Sequence, residues 1–169
     1  MGKVAVLGLG ASVGLFEPAG FDLAIGVNDI WRHYPAEEVV CLDYPRAFNP
    51  GRLQVINASR PRRFYSQIVD WDVRPDYQQI TLLPGYPDRH IDLKLGLYKS
   101  FCSPFVAVQL AYTQHGAGEI HLYGVDLVNH PHLDHQLCER IKVHFMHLFK
   151  YLVNVGVNVR VHGNGILTV

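Results

Sequence analysis

The chain begins with a short apolar run that leads directly into a glycine-dense segment. Residues 4–7 read Val-Ala-Val-Leu, and Gly8, Gly10 and Gly14 follow. A buried strand that runs into such a turn is typical of the start of an α/β domain. Glycine permits a tight turn and a close approach of phosphate to backbone N–H groups, and a following helix directs its positive N-terminus at the anion. We therefore predict a nucleotide-binding turn at Gly8 and Gly10.

The same segment also permits a purely structural interpretation. Ser12 either adds its hydroxyl to the phosphate site or caps the next helix. A tight strand-to-helix turn without a ligand is the alternative for the glycines. The dinucleotide fingerprint G-x-G-x-x-G requires glycine at position 13, where this chain has Val13, so that fingerprint is excluded.

Length and composition favour one globular domain. The chain has 169 residues, of which 49% are hydrophobic and 18% charged, which argues against a disordered protein. Fifteen basic and fifteen acidic residues cancel, so no general attraction for nucleic acid or an anionic membrane is expected. Three widely spaced cysteines indicate a reduced, cytoplasmic protein. Beyond the opening apolar segment, no stretch approaches the roughly 18 consecutive apolar residues of a membrane-spanning helix.

Polar residues follow two further predicted strands. Residues 21–27 predict a second strand that ends at Asn28 and Asp29, and residues 38–42 predict a third strand that ends at Asp43. Because the carboxyl ends of strands in an open α/β sheet face the ligand crevice, Asn28 and Asp29 are candidates to bind a sugar or base. A turn or helix cap is the alternative for both residues.

Residues 45–100 are the least informative part of the sequence. The positive cluster at residues 60–63 suits phosphate or a solvated surface, and we favour the solvated surface. Residues 79–83 resemble a strand, and residues 84–88 predict a turn or ordered loop.

The C-terminal part shows clear alternation of helices and strands. Ser103 is a predicted N-cap before proline at the first helical position, and residues 119–123 predict a strand. Apolar residues at helical spacing predict a helix from about residue 135 to residue 153, with a last strand at 157–161. On this helix His144 falls at the edge of the apolar face, so it is not expected to face the crevice. The sequence predicts a single Rossmann-like domain with a doubly wound, mostly parallel sheet.

Residues 130–135 read His-Pro-His-Leu-Asp-His, which is the densest cluster of chemically reactive groups. Taken alone, this H-x-H-x-D-H pattern is the metal-binding signature of the metallo-β-lactamase fold. That fold needs further ligands and a second sheet downstream, and only 34 residues remain after this motif. We therefore predict no metal site here, and we interpret His130 and His132 as loop residues.

Three motifs together resemble the bacterial sialyltransferases that adopt a single modified Rossmann domain, and a related group of small domains that includes archaeal pterin diphosphokinases. The opening Gly8-Leu9-Gly10-Ala11-Ser12 is similar to the family's G-N-G-P-S. Residues 118–126, after a serine-led helix, are close to the family's strand that finishes Gly-hydrophobic-Asp. The third motif is His135 before the long helix. These motifs cover about two thirds of the chain.

The resemblance implies a nucleotide-sugar-dependent glycosyltransferase. His135 would be the general base for an acceptor hydroxyl, oriented by Asp126 or Asp134, because a neutral imidazole accepts a proton near neutral pH. The donor nucleotide would bind to Gly8, Gly10, Ser12, Asn28, Asp29 and Ser103. The alternative role of His135 is simply to begin a helix that Asp134 caps. No cofactor is expected beyond the nucleotide-sugar donor.

This chain departs from the family pattern in three places. Leu9 stands where the family has asparagine, Pro104 where it has glycine, and residues 127–134 are too few for the family's long lid. The missing lid motivates the hypothesis of a homo-oligomer in which a neighbouring subunit completes the site. Two alternatives to the transferase remain: a nucleotide-binding module without catalysis, and an ATP-dependent diphosphokinase for a pterin-like alcohol, with Mg²⁺ on Asp43 and Asp126.

Overall fold

The computed structural model describes residues 2–128 and 133–169, and its centre is a parallel β-sheet of seven strands. Nine strands occur in these residues: β1 Lys3–Leu7, β2 Leu23–Val27, β3 Glu38–Val40, β4 Arg63–Ser66, β5 Tyr77–Gln79, β6 Leu82–Leu83, β7 Leu97–Tyr98, β8 Glu119–Tyr123 and β9 Asn158–Val161. The three α-helices of this part of the chain are α1 Pro50–Ala58, α2 Ser103–Thr113 and α3 His135–Asn154. His130 and His132 lie outside the described residues.

The strand order of the main sheet is β5-β4-β3-β2-β1-β8-β9, and each neighbouring pair is parallel. The chain first builds the sheet outward from β1 to β5 and then returns to the other side of β1 with β8 and β9. The direction of winding therefore reverses between β1 and β8, which is where open α/β sheets bind ligands. The predicted Rossmann-like, mostly parallel α/β fold is confirmed. Strands β6 and β7 form a separate two-stranded parallel sheet.

Both faces of the sheet are covered. Within β1 the side chains alternate, so that Val4 and Val6 enter the apolar core formed with α2 and α3. Ala5 and Leu7 point to the opposite face and enter a second core, which includes Ile56 of α1. Near-continuous burial of β1 and β2 is what a central parallel strand requires.

Several local predictions need correction. The segment after the glycines is a five-residue 3-10 helix, Ala11–Leu15, rather than an α-helix. The N-cap of α2 is Cys102 and not Ser103, which is the first helical residue. The strand predicted at 79–83 is divided between β5 and β6. Helix α1 and strand β4 were not predicted.

The beginning of α3 agrees with the prediction. Asp134 is the N-cap, and its Oδ1 accepts a hydrogen bond from the Leu137 amide at 2.8 Å. The helix begins at His135, as expected from the apolar spacing. Across the described ranges, none of the helices has the length and apolar character needed to span a membrane.

Candidate functional site

A cleft of about 1390 Å³ lies beside the carboxyl ends of the central strands. This volume exceeds the roughly 300–1,000 Å³ of typical small-molecule sites, and it is large enough for a nucleotide with a further substituent. Its polar lining includes Ser12, Asn28, Asp29, Arg32, Arg52, Lys99, Ser100, Ser103 and Asp126. The cleft therefore gathers most of the predicted nucleotide-binding residues.

The glycine segment after β1 packs against the segment after β8. The Gly8 amide donates to the Tyr123 carbonyl at 2.7 Å, and the Gly10 amide donates to the Gly124 carbonyl at 2.8 Å. A Cβ atom on Gly10 would lie 2.5 Å from an Asp126 carboxylate oxygen, and one on Gly8 would overlap the Gly124 carbonyl. Both amides are thus occupied within the protein, and the missing side chains permit two backbone segments to approach. Neither amide is available to phosphate, although Gly10 lines the cleft.

Ser12 binds to Asp126 rather than capping a helix. Its hydroxyl donates to Asp126 Oδ1 and accepts from the Gly124 amide at 2.8 Å, and its own amide donates to Asp126 Oδ2 at 2.9 Å. Ser12 is buried, whereas Asp126 is half-buried and lines the cleft. Asp126 therefore connects the two loops at the reversal point of the sheet, and both of its oxygens already accept hydrogen bonds.

Asn28 and Ser103 lie next to each other in the cleft lining. Asn28 has φ +50°, a left-handed conformation that asparagine tolerates better than most residues. The Ser103 hydroxyl lies 3.4 Å from Asn28 Oδ1, which is long for a hydroxyl hydrogen bond. Both polar groups therefore retain capacity for a ligand. The sequence predicted both residues, and the fold brings them together across 75 positions of the chain.

Asp29 holds two arginines at the cleft. Its carboxylate is 4% exposed, and Oδ1 accepts from Arg52 Nε at 2.9 Å and from Arg52 Nη2 at 2.7 Å. Its Oδ2 lies 3.0 Å from Arg32 Nη2. One carboxylate therefore neutralises only half of the charge of two guanidinium groups. Among the described residues, several N–H donors of Arg32 and Arg52, which line the cleft, have no hydrogen-bond partner. Asp29 is thus an anchor for cationic side chains at the cleft.

Part of the cleft lining is aromatic and cationic. Tyr86 stacks on Phe101 with ring centroids 4.4 Å apart, and Lys99 Nζ lies 4.8 Å from the Tyr86 ring centroid. All three residues line the cleft. Tyr86 and Lys99 therefore bring an aromatic ring and a positive charge to the cleft. Tyr98 instead accepts a hydrogen bond from the Asp92 amide at 3.3 Å.

His135 has a different position from the other predicted site residues. It is exposed at the first position of α3, and the cleft is lined there by Leu133 and Leu137. Residues two positions apart on a helix do not share a face, so the His135 side chain is directed away from Leu137. The structure thus supports the helix-start role of this residue, and Asp126 and His135 share no hydrogen bond among the described residues.

Within residues 2–128 and 133–169, no group of three or more histidine, cysteine, aspartate or glutamate side chains is arranged to hold a metal ion. Asp43 and Asp126, the candidate Mg²⁺ ligands of the diphosphokinase hypothesis, both line the cleft. The Asp126 carboxylate is committed to Ser12, as described above.

The structure also identifies site residues that the sequence analysis did not select. Arg32 and Arg52 are the clearest, since α1, which carries Arg52, was not predicted. The spacing of Asp29 and Arg32, three residues apart, was a usable signal for an ion pair.

Comparisons with protein-family models, curated proteins and solved structures give no significant match for this chain.

Proposed function

We propose that this protein binds a nucleotide or nucleotide-sugar in the cleft at the carboxyl edge of its sheet. The observation that carries the proposal is the pair of arginines, Arg32 and Arg52, that the buried Asp29 carboxylate fixes at the cleft. Arginine presents planar, paired N–H donors that match phosphate oxygens, and an anchored guanidinium loses less conformational freedom on binding. A phosphate-bearing ligand is therefore the class that this charge arrangement favours.

The rest of the cleft is suited to the nucleoside part of such a ligand. Asn28 and Ser103 offer amide and hydroxyl groups whose mutual hydrogen bond is long, so both can bind ribose or base without losing a strong partner. Tyr86 and Phe101 also line the cleft, so their aromatic rings can contact a planar base there. The location at the reversal point of the sheet, between β1 and β8, agrees with the general rule for ligand sites in α/β folds.

Glycosyl transfer, which the resemblance to the sialyltransferases implies, is a separate prediction. His135 is exposed outside the cleft lining, so the geometry of the described residues supports nucleotide binding more strongly than catalysis by this histidine. The His135→Ala variant tests that step, because a general base contributes roughly a hundred- to ten-thousand-fold in rate. If His135→Ala binds nucleotide as the wild type does and the wild type shows no turnover, a non-catalytic module is favoured.

A thermal-shift panel tests the binding proposal and separates its alternatives. CMP, CDP, UDP, GDP and ATP are each added with and without Mg²⁺, and a ligand at a hundred times its Kd stabilises the fold by about 2.7 kcal/mol. A response to CMP or CDP without metal supports a sialyltransferase-like donor site, whereas a response to ATP only with Mg²⁺ supports the diphosphokinase alternative. No response to any nucleotide contradicts the proposal.

A further inference from the structure

Three side chains from separate segments form a hydrogen-bonded series that ends at the cleft. Asp88 Oδ1 lies 3.0 Å from His144 Nε2, and His144 Nδ1 lies 2.9 Å from Ser100 Oγ. His144 is 0% exposed, whereas Ser100 is half-buried and lines the cleft. The only polar group of this series that a ligand in the cleft can reach directly is thus the Ser100 hydroxyl.

The charge of Asp88 determines which nitrogen of His144 carries the proton. Arg140 donates to both carboxylate oxygens, at 3.0 and 2.9 Å, and together with His144 it holds the pKa of Asp88 well below its usual value. An ionised carboxylate only accepts hydrogen bonds, so His144 Nε2 is the protonated nitrogen and Nδ1 is the acceptor. Ser100 therefore donates its hydroxyl proton to Nδ1.

Burial keeps the imidazole neutral and able to accept that proton. The aromatic rings of Tyr86, Phe101 and Phe105 lie with their centroids 5.8–6.1 Å from the His144 ring. Desolvation lowers the pKa of His144, and Arg140 and His147 act in the same direction, while Asp88 opposes them. A neutral imidazole that is oriented by a carboxylate and bonded to a serine hydroxyl is the arrangement that activates serine as a nucleophile.

We propose that Ser100 is a nucleophile toward carboxylic esters, with His144 as its general base and Asp88 as the residue that positions the imidazole. The chemical class of the substrate follows from the cleft lining. Leu82, Leu133 and Leu137 line the same cleft as Ser100 and give it apolar surface, which suits the acyl chain of an ester. This activity does not depend on nucleotide binding, because none of these residues contacts Asp29 or its two arginines through a hydrogen bond among the described residues.

The proposed reaction needs only the ester and water. Ser100 Oγ attacks the ester carbonyl carbon as its proton moves to His144 Nδ1, and the resulting tetrahedral intermediate expels the alcohol, which takes that proton. Water then attacks the acyl-serine, His144 accepts the proton of the water, and the intermediate releases the carboxylic acid as the proton returns to Ser100 Oγ. The Asp88 carboxylate stabilises the imidazolium that forms in each half-reaction.

The negative charge that develops on the carbonyl oxygen also meets favourable groups. Lys99 precedes Ser100 directly and lines the cleft, and the 11-residue helix α2 begins three positions after Ser100. Ser103 and Pro104, at the start of α2, line the same cleft as Lys99 and Ser100, so the positive end of the helix dipole and the Lys99 ammonium can approach the developing charge.

A fluorophosphonate probe tests the nucleophile in the intact protein without nucleotide. Attack by Ser100 forms an O–P bond and expels fluoride, and intact-mass and peptide mass spectrometry locate the adduct. We expect one adduct per chain at Ser100 and none at that position in Ser100→Ala. Absence of an adduct on Ser100, while a control serine esterase reacts fully, would overturn the proposal, as would labelling only at other residues.

Variants of the partner residues separate catalysis from a merely structural network. We expect His144→Gln and Asp88→Asn to slow labelling at least about a hundred-fold, whereas Lys150→Gln, at an exposed position of the same helix outside the cleft lining, labels at the wild-type rate. Circular dichroism identifies any variant that does not fold, and the half-exposed Asp88 provides the variant least expected to disturb folding. If Asp88→Asn folds and labels as fast as the wild type, the proposed role of the series is wrong.

A pH profile provides a readout that packing alone would not change. The labelling rate should rise as His144 loses its proton and then reach a plateau, and Asp88→Asn should lower both the plateau and the apparent pKa. The charged and titratable groups that face His144 are Asp88, Arg140, His147 and Tyr86. A flat profile would contradict the role of His144. Loss of nucleotide binding in the thermal-shift panel leaves this result unaffected, so the two proposals fail independently.

Discussion

Ser12 and Asp126 hold together the two loops that leave the central strands β1 and β8. The Ser12 hydroxyl donates to Asp126 Oδ1, and the Ser12 amide donates to Asp126 Oδ2 at 2.9 Å. The same hydroxyl accepts from the Gly124 amide. This contact lies at the reversal point of the sheet, and Ser12 and Asp126 line the same cleft as Asn28, Ser103 and the two arginines. Residues that resemble a phosphate-binding turn in sequence therefore act here to fix the shape of the site.

The first prediction concerns this contact. Ser12→Ala removes the acceptor of the buried Gly124 amide, and an unsatisfied buried group costs about 1–3 kcal/mol. We expect a loss of that size in the free energy of unfolding, measured by urea denaturation. Thr168→Ala, at an exposed position, is the control. Equal stability of Ser12→Ala and wild type would show that the contact does not join the loops.

The second prediction separates a glycine of the opening segment that close packing requires from one that it does not. A Cβ atom on Gly8 would overlap the Gly124 carbonyl, so Gly8→Ala should destabilise the fold by at least about 1–3 kcal/mol. Gly14→Ala is the matched control, because a Cβ atom at that position would meet no atom within 4 Å beyond its chain neighbours and its own helix, and it should change stability by less than about 1 kcal/mol. Thermal and urea denaturation measure both. If the two variants behave alike, close packing is not the reason for Gly8.

The third prediction concerns a buried carboxylate at the other end of the sheet. Glu38 is 0% exposed and pairs with Arg62 at 2.7 Å, with Arg63 at 3.4 Å and with His115 Nε2 at 2.9 Å. Arg62 and Arg63 belong to the cluster at residues 60–63 that we expected to be solvated. They are 61% and 45% exposed, and they also form ion pairs with this carboxylate. Glu38→Gln should lower the free energy of unfolding by about 1.5–3 kcal/mol. Urea denaturation against the exposed Glu139→Gln checks this, and equal stabilities would contradict it.

The fourth prediction concerns pH. Burial lowers the pKa of His144 and of His162 in the folded state, so the unfolded chain binds more protons than the folded one below about pH 6.5. Stability is therefore fully present above that pH and is lost as the pH falls, by at most about 1.4 kcal/mol per pH unit for each proton taken up. Urea denaturation between pH 8 and pH 5 measures the slope. His162→Gln should reduce it, and a slope that the variant leaves unchanged would contradict the assignment.

The sheet was predictable where local pattern decides structure, and less so elsewhere. Strand β1, strand β8 and helix α3 carry apolar periodicity or a recognisable cap, and the structure confirms them. Helix α1 buries only Ile56, so its sequence shows almost no apolar face. Strand β4 has just four residues and begins with an exposed arginine, which gives it a weak signal.

The site was predictable as a location rather than as a set of contacts. Strand-end residues such as Asn28 and Asp29 had to lie at the carboxyl edge, because parallel strands place their ends together. Partners remote in sequence were beyond reach, since Ser12 and Gly124 are 112 positions apart and only the tertiary fold joins them. For the same reason no sequence pattern indicates that the buried His144 contacts Ser100, which lines the cleft.

The fifth prediction tests the central claim, that arginines anchored by Asp29 bind the phosphate of a nucleotide. Isothermal titration calorimetry compares wild type, Arg52→Lys, Arg32→Met and the control Arg46→Met, an exposed arginine outside the cleft lining. The titrant is the nucleotide that gives the largest thermal shift. Because a charged hydrogen bond contributes about 1.5–3 kcal/mol, we predict at least about tenfold weaker binding for Arg52→Lys and Arg32→Met, and wild-type affinity for Arg46→Met. Equal affinity in all four proteins would contradict the account.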